Sequence, residues 1–169
     1  SEAKNQISVL LSALRKFYDA RLIFTYPNAD QENNVIIKMI KLFVKKNKNS
    51  IMFKSLGQKK FFSLIQFVDG VIGNSSSGII EIPTFKKISI NLGNRQRGRI
   101  KANSVIDCKI NKKEIEDKLE KLFLKKYGNN NSKFKNPYDN GNSSEKTVKL
   151  LRKFNFKKIL CKSFFDLQI

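Results

Sequence analysis

Asp69-Gly70-Val71-Ile72-Gly73-Asn74-Ser75-Ser76-Ser77-Gly78-Ile79-Ile80-Glu81-Ile82-Pro83 is the stretch on which the reading of this chain turns. Its apolar start reads as a short buried strand that runs straight into a glycine-flanked triple serine and then into a helix. A helix start leaves its first backbone N–H groups unpaired and carries the positive end of the helix dipole, so an anion can sit there. Ser75, Ser76 and Ser77 add hydroxyl donors at the same point, and Gly73 and Gly78 remove side-chain bulk where a ligand would approach the backbone. Glu81, a turn or so into the helix, is placed to accept from a pair of sugar hydroxyls. The plainer account is a serine-capped turn with no ligand at all. The continuation weighs against it, because Lys87-Ile88-Ser89-Ile90-Asn91-Leu92-Gly93-Asn94-Arg95-Gln96-Arg97-Gly98-Arg99 is a second strand closing on glycine and arginine. Successive strand ends, one rich in serine and one in arginine, point to a single anionic ligand.

Outward from this centre, strands and helices alternate. Glu2 to Tyr18 carries Ile7, Leu10, Leu11, Leu14 and Phe17 at helical spacing, with no strand before it. Arg21 to Tyr26 reads as a strand stopped by Pro27-Asn28, and Asp30 as the cap of a helix bearing Val35, Ile36, Met39, Ile40, Phe43 and Val44. Ser50 to Ser55 is the next strand, broken at Gly57, and Gln58 to Phe67 a helix with Phe61, Leu64 and Ile65 inward. Gly70 to Ile72, Lys87 to Leu92 and Ser104 to Cys108 complete the strands. Asn111 caps a helix to Phe123, with Glu114 placed for a capping box. Such alternation predicts an α/β fold with a doubly wound, mostly parallel sheet. The predicted organisation is a Rossmann-like domain over 1–125, a loop rich in Asn, Gly and Pro over 126–142, and a helical segment over 143–169 in which Ser143 or Ser144 caps a helix to Phe154. The basic, aromatic-spotted end of that segment contains Phe164-Phe165, which calls for a covering surface.

Composition narrows the function classes. At 169 residues and 40% hydrophobic content the chain suits one domain with a real core. No apolar run approaches the roughly 20 residues that span a bilayer, so no membrane partner and a cytoplasmic location are expected. Two cysteines, Cys108 and Cys161, and the absence of histidine exclude a Cys/His zinc site and argue against a disulfide framework. Neither metal nor cofactor is expected. The net charge of +20 taken alone would suggest nucleic acid. Its lysines are instead scattered beside Asn, Ile and Phe, as A/T-rich coding would produce, and a nucleic-acid partner is not expected.

The run Ile72-Gly73-Asn74-Ser75-Ser76-Ser77-Gly78, then Glu81, then Ile90-Asn91-Leu92-Gly93-Asn94-Arg95-Gln96-Arg97-Gly98-Arg99 resembles the C-terminal nucleotide-binding domain of the hydrolysing UDP-N-acetylglucosamine 2-epimerases. These include enzymes of bacterial sialic and legionaminic acid synthesis. The resemblance covers about Leu22 to Asp107 and extends more loosely to Asn136-Pro137-Tyr138-Asp139-Asn140-Gly141. It implies half of a glycosyltransferase-B-like two-domain fold and UDP or UDP-N-acetylglucosamine as ligand. Asn28 then contacts the nucleotide and Leu56 neighbours the uracil. Ser75 and Ser76, with Ser77 and Gly78 in the same turn, hold the diphosphate; Glu81 holds the ribose, and Arg95 supports the site. Read residue by residue, each has a plain alternative: a turn asparagine, a core leucine, a dipole-favoured glutamate, a solvated arginine.

The family's reaction, as the resemblance implies, eliminates UDP and then adds water with inversion at C2, releasing N-acetylmannosamine. It also implies that the acid/base carboxylates lie on an N-terminal domain outside this chain. A histidine-bearing first strand would lie outside it too, leaving a central sheet position empty. No catalytic residue is expected within the chain, and its partners would be the N-terminal domain and, in an open alternative, a second copy in a homodimer. Two other readings stay open: the donor domain of a related glycosyltransferase, and a basic binding protein without catalysis.

Overall fold

The computed structural model describes residues 2–28, 32–124, 134–139 and 141–156. They fall in two compact units, Ser1–Pro137 and Tyr138–Ile169. The first unit runs α1 (Glu2–Leu14), β1 (Leu22–Thr25), α2 (Asn33–Lys46), β2 (Ser50–Phe53), α3 (Gly57–Ile65), β3 (Gly70–Gly73), α4 (Ser77–Ile80), a 3₁₀ turn (Ile82–Phe85), β4 (Ile88–Leu92), β5 (Val105–Cys108) and α5 (Lys112–Phe123). The second holds α6 (Ser143–Lys153), none of whose residues is buried.

Every strand pair is parallel, as the alternation predicts. β1 pairs β2 with Leu22 beside Ser50, β3 pairs β4 with Gly73 beside Asn91, and β4 pairs β5 with Asn91 beside Asp107. The pairs form a two-stranded sheet, β1-β2, and a three-stranded sheet, β3-β4-β5. β4 is buried along its whole length. On one face, Ile88, Ile90 and Leu92 meet Ile7, Leu11 and Leu14 of α1, Ile40 and Phe43 of α2, and Ile115 and Leu119 of α5 in a single core. Each such buried side chain contributes about 1.5–3 kcal/mol. The other face of β4 is polar, with Ser89 and Asn91 buried beneath α4 and the 3₁₀ turn.

Several local expectations change. The helix after the triple serine is a single turn, because Pro83 brings no N–H and its ring would meet the carbonyl of residue 79. The chain tightens into the 3₁₀ turn and leaves through Lys86 at φ 57°, so Glu81 stands at the junction rather than inside a helix. β2 ends at Phe53, ahead of Gly57, and Gly57, at φ +64°, is itself the first residue of α3, one before the expected start at Gln58. At α5 the Asn111 side chain accepts from the Glu114 amide at 3.1 Å as expected, while the Glu114 carboxylate accepts from the Lys109 amide instead of closing the box. α6 is preceded by Asn142 in the left-handed region, φ 53°, which asparagine tolerates better than serine, and no side chain caps it. The expected Asp30 cap, most of the 126–142 loop and Phe164-Phe165 lie outside the described residues.

Cys108, on β5, is 3% exposed. Burial, helped by the Glu114 carboxylate and opposed by Lys118, pushes its thiol up to about 11. The thiolate fraction at pH 7 is then about one in ten thousand. In a Cys161→Ser background, iodoacetamide at pH 7 should leave the folded protein unlabelled and should label it fully in guanidinium. Rapid labelling of the native chain would contradict this burial.

Candidate functional site

The strand ends place the candidate residues. Asn28 follows β1 and is exposed; Leu56 follows β2 and is half-buried at the start of α3. Ser75, Ser76 and Ser77 follow β3, and Arg95 follows β4 in an exposed loop. Because β3 and β4 are parallel and Gly73 lies beside Asn91, the serine turn and the arginine loop leave the sheet side by side. Gln96 ties them together: its Nε2 donates to the Asn74 carbonyl at 2.8 Å. At this edge a cleft of about 300 Å³ is lined by Asn74, Gly93, Asn94 and Arg95, with Glu2 and Gln6 from the start of α1. Of the candidate residues only Arg95 lines it, beside Asn74, which precedes the serine turn; Asn28, Leu56, Ser75, Ser76, Ser77, Gly78 and Glu81 are not among its walls.

Within the turn, the Ser75 carbonyl accepts from the Gly78 amide at 3.2 Å, the Ser76 carbonyl from Ile79 and Ile80 at 2.9 Å, and the Ser77 carbonyl from Glu81 at 3.0 Å. Ser76 holds the N-cap position but makes no side-chain cap bond, so the plain capping account does not absorb its hydroxyl. Ser75 Oγ accepts from the Ser77 amide only at 3.4 Å. Gly73 meets nothing within 4 Å in the direction of a side chain, consistent with an open approach. Gly78 differs from its expected role. Its amide bonds within the turn, and a Cβ there would lie 2.6 Å from Ser89 Oγ, so glycine at this position lets α4 press onto β4.

Glu81 carries the clearest mark of an unfilled partner: its Oε2 is buried and has no hydrogen-bond partner among the described residues. Leaving such an acceptor unpaired costs about 1–3 kcal/mol, more when charged. Asn91 Oδ1 and Gln96 Oε1, on the neighbouring strand and loop, are buried and unpaired in the same sense. Support for the turn comes from Asn136, whose Nδ2 donates to the Ile80 carbonyl and to Thr84 Oγ1, each at 2.7 Å. Lys86 Nζ donates to the Phe134 carbonyl, which anchors the same segment.

Gln96, Asn91 and Asn136 were not singled out as site residues by sequence. For Asn91 a signal exists, since the Ser89 and Asn91 alternation with isoleucines and Leu92 marks a polar face on a strand. Gln96 sits among arginines with no periodicity to identify it. Asp107 is bound on several sides: Lys101 Nζ donates to both its oxygens, and Asn91 Nδ2 to one, all at 2.7 Å. Burial pushes this carboxyl up, but the bonds from Lys101 and Asn91 and the Lys101 charge outweigh burial and hold it below the ordinary carboxylate range. An ionised, tethered carboxylate is a poor proton donor. Asp69 precedes β3, at the opposite end of the strand from the serine turn. The strand ends thus carry serine hydroxyls, a buried carboxylate acceptor and an arginine, while Asp107 is held ionised.

Comparison with known proteins bears on the family and the fold. The sequence model of the family described as UDP-N-acetylglucosamine 2-epimerase matches residues 1–152. A GDP/UDP-N,N'-diacetylbacillosamine 2-epimerase (hydrolyzing) from Campylobacter jejuni is 40% identical over 166 residues, covering 97% of this chain and 43% of the relative. A UDP-N,N'-diacetylbacillosamine 2-epimerase (hydrolyzing) from Legionella pneumophila is 30% identical over 145 residues, covering 86% of this chain and 37% of the relative. The chain thus spans less than half the length of these relatives. The fold matches the crystal structure of UDP-GlcNAc 2-epimerase from Neisseria meningitidis bound to UDP-GlcNAc, with TM-score 0.65 and 19% identity over 89% of this chain and 41% of that one. A Methanocaldococcus jannaschii UDP-GlcNAc 2-epimerase in complex with UDP-GlcNAc and UDP gives TM-score 0.65 at 22% identity, over 89% and 40%. With the motifs, the parallel α/β architecture and the family match in agreement, the chain belongs to the UDP-N-acetylglucosamine 2-epimerase family.

Proposed function

We propose that this chain is the UDP-binding, C-terminal half of a hydrolysing nucleotide-sugar 2-epimerase. The observation that carries the reading is the buried, unpartnered Glu81 Oε2 at the end of the serine turn. A ribose hydroxyl would satisfy it, while Ser75, Ser76 and Ser77 receive the diphosphate and Arg95 adds positive charge from the adjoining loop. Asn28 and Leu56, at the ends of the other two strands, receive the nucleotide and its uracil.

In a mechanism of UDP elimination followed by addition of water across the C1–C2 double bond, hydroxyl to C1 and a proton to C2 with inversion there, these groups bind and orient the leaving diphosphate and stabilise the charge it gains. The proton transfers fall to carboxylates of the remaining polypeptide. Asp107 is held ionised by Lys101 and Asn91, and Glu81 is committed to ribose, so the described residues offer no pair placed on opposite sides of a sugar ring.

The test is turnover of UDP-N-acetylglucosamine and UDP-N,N'-diacetylbacillosamine, followed by release of UDP and free sugar. The chain alone should release neither above background. A chimera, with the part of the Campylobacter jejuni relative that this chain does not match joined ahead of residue 1, should release both from at least one substrate. Product from the isolated chain would overturn the division of roles. A folded chimera that neither binds UDP nor turns over would overturn the function.

A further inference from the structure

Two neighbouring loops carry the groups assigned to the diphosphate, and among the described residues no backbone hydrogen bond joins them. Residues 74–78 close on the start of α4, where the Gly78 amide donates to the Ser75 carbonyl and the Ile79 and Ile80 amides to that of Ser76. Residues 93–99 close on β5 and on themselves: the Gly93 amide donates to the Cys108 carbonyl at 2.9 Å, Arg97 to Asn94 at 2.9 Å and Arg99 to Gln96 at 3.4 Å. The bond from Arg97 to Asn94 makes a β-turn with Arg95 and Gln96 at its centre. On that turn Arg95 is exposed, while Gln96, one residue on, is only 4% exposed.

Gln96 spans the gap between the loops, with its Nε2 donating to the Asn74 carbonyl at 2.8 Å. The reverse orientation would set two oxygens face to face, so this contact also fixes which way the amide lies. The other end of the amide, Oε1, is buried and has no hydrogen-bond partner among the described residues. A methionine or leucine would fill the same place without a bare acceptor, so a half-satisfied amide is the poorer choice for folding alone. What glutamine adds is a directional hold on the residue that opens the serine turn.

We propose that Gln96 is a positioning residue for diphosphate binding: its bond to the Asn74 carbonyl staples the serine turn to the Arg95 turn, so that hydroxyls and guanidinium meet one diphosphate together. The inference deepens the proposed function and rests on its assignment of the diphosphate to Ser75, Ser76, Ser77 and Arg95. β3 and β4 fix the two loops only as far as Gly73 and Leu92. A grip shared between loops needs its groups held to within about 0.5 Å of the productive geometry, and the Gln96 bond carries the registration of the strands out to Arg95. Gln96 acts through the Asn74 backbone and brings no charge of its own to the phosphates. The nucleoside end of the ligand is assigned to Asn28, Leu56 and Glu81, which this staple does not hold, so the role of Gln96 is confined to the diphosphate.

Affinities for UDP, inorganic pyrophosphate and uridine test this, in the parent chain and in Gln96→Met, which keeps the volume and loses the donor. The substitution should weaken UDP and pyrophosphate by about 3- to 10-fold and leave uridine unchanged. A double-mutant cycle adds the readout that separates positioning from packing. In the parent, Arg95→Ala and Ser76→Ala together should weaken UDP by less than the product of their separate fold-changes, because each loss spoils the grip of the other. In the Gln96→Met background the two fold-changes should simply multiply. A folded Gln96→Met chain with parental affinity for UDP overturns the proposal, as does an equal loss of UDP and uridine, or a cycle that the substitution leaves unaltered. The parent supplies a second arm that needs no variant to fold: the Gln96 side-chain NH2 signals should shift saturably with pyrophosphate and stay still with uridine, and signals indifferent to pyrophosphate overturn the proposal. A parent that binds neither UDP nor pyrophosphate sinks the proposed function; one that binds both while failing these tests sinks the assignment of Gln96 alone.

Discussion

Gly78→Ala is expected to destabilise the first unit by about 1–3 kcal/mol, the usual cost of forcing a methyl into a filled interior. The added Cβ would stand 2.6 Å from Ser89 Oγ, and Ser89 is only 2% exposed, so it has little room to turn aside. Gly78 has an ordinary helical backbone, and alanine gains about 1 kcal/mol of helix propensity there, so the clash must outweigh that gain for the effect to appear. Ser89→Ala removes the clashing oxygen and should return most of the lost stability in the double variant. Thermal denaturation of the single and double variants completes the cycle. A Gly78→Ala protein as stable as the parent, with unchanged UDP affinity, would show that α4 does not press on β4 as described.

Glu81→Gln should weaken UDP and uridine alike, by about 10- to 100-fold, since a hydrogen bond to a charged acceptor contributes about 1.5–3 kcal/mol. Ser76→Ala should weaken UDP and leave uridine nearly unchanged, because its proposed partner is phosphate. Stability separates a ligand-binding Glu81 from a structural one. An unpartnered buried carboxylate oxygen is a burden to the free protein, so the amide should leave the melting temperature equal or raise it. A lower melting temperature together with intact uridine binding would show that Glu81 serves the fold instead.

Much of this was legible in the sequence because periodicity and punctuation are local. The α1, α2 and α5 stripes, the strand before the triple serine and the parallel alternation depend on residues within one or two turns of each other. The role of Gly78 was not legible, because the atom that forbids a side chain belongs to Ser89 on the neighbouring strand. The single turn of α4 could have been read from Pro83, which limits the helix ahead of it. Gln96 and Asn136 escaped notice because each acts on a carbonyl far away in sequence, at Asn74 and Ile80.

The most direct measurement is a UDP titration of the isolated chain followed by backbone amide shifts, with uridine and inorganic pyrophosphate at matched ionic strength as comparisons. Saturable shifts centred on Ser75 to Ser77, Glu81 and Arg95, with an affinity of about −4 to −6 kcal/mol, are the predicted result. Absence of saturable shifts, or shifts spread over the lysine-bearing helix faces and abolished by salt, would contradict the account.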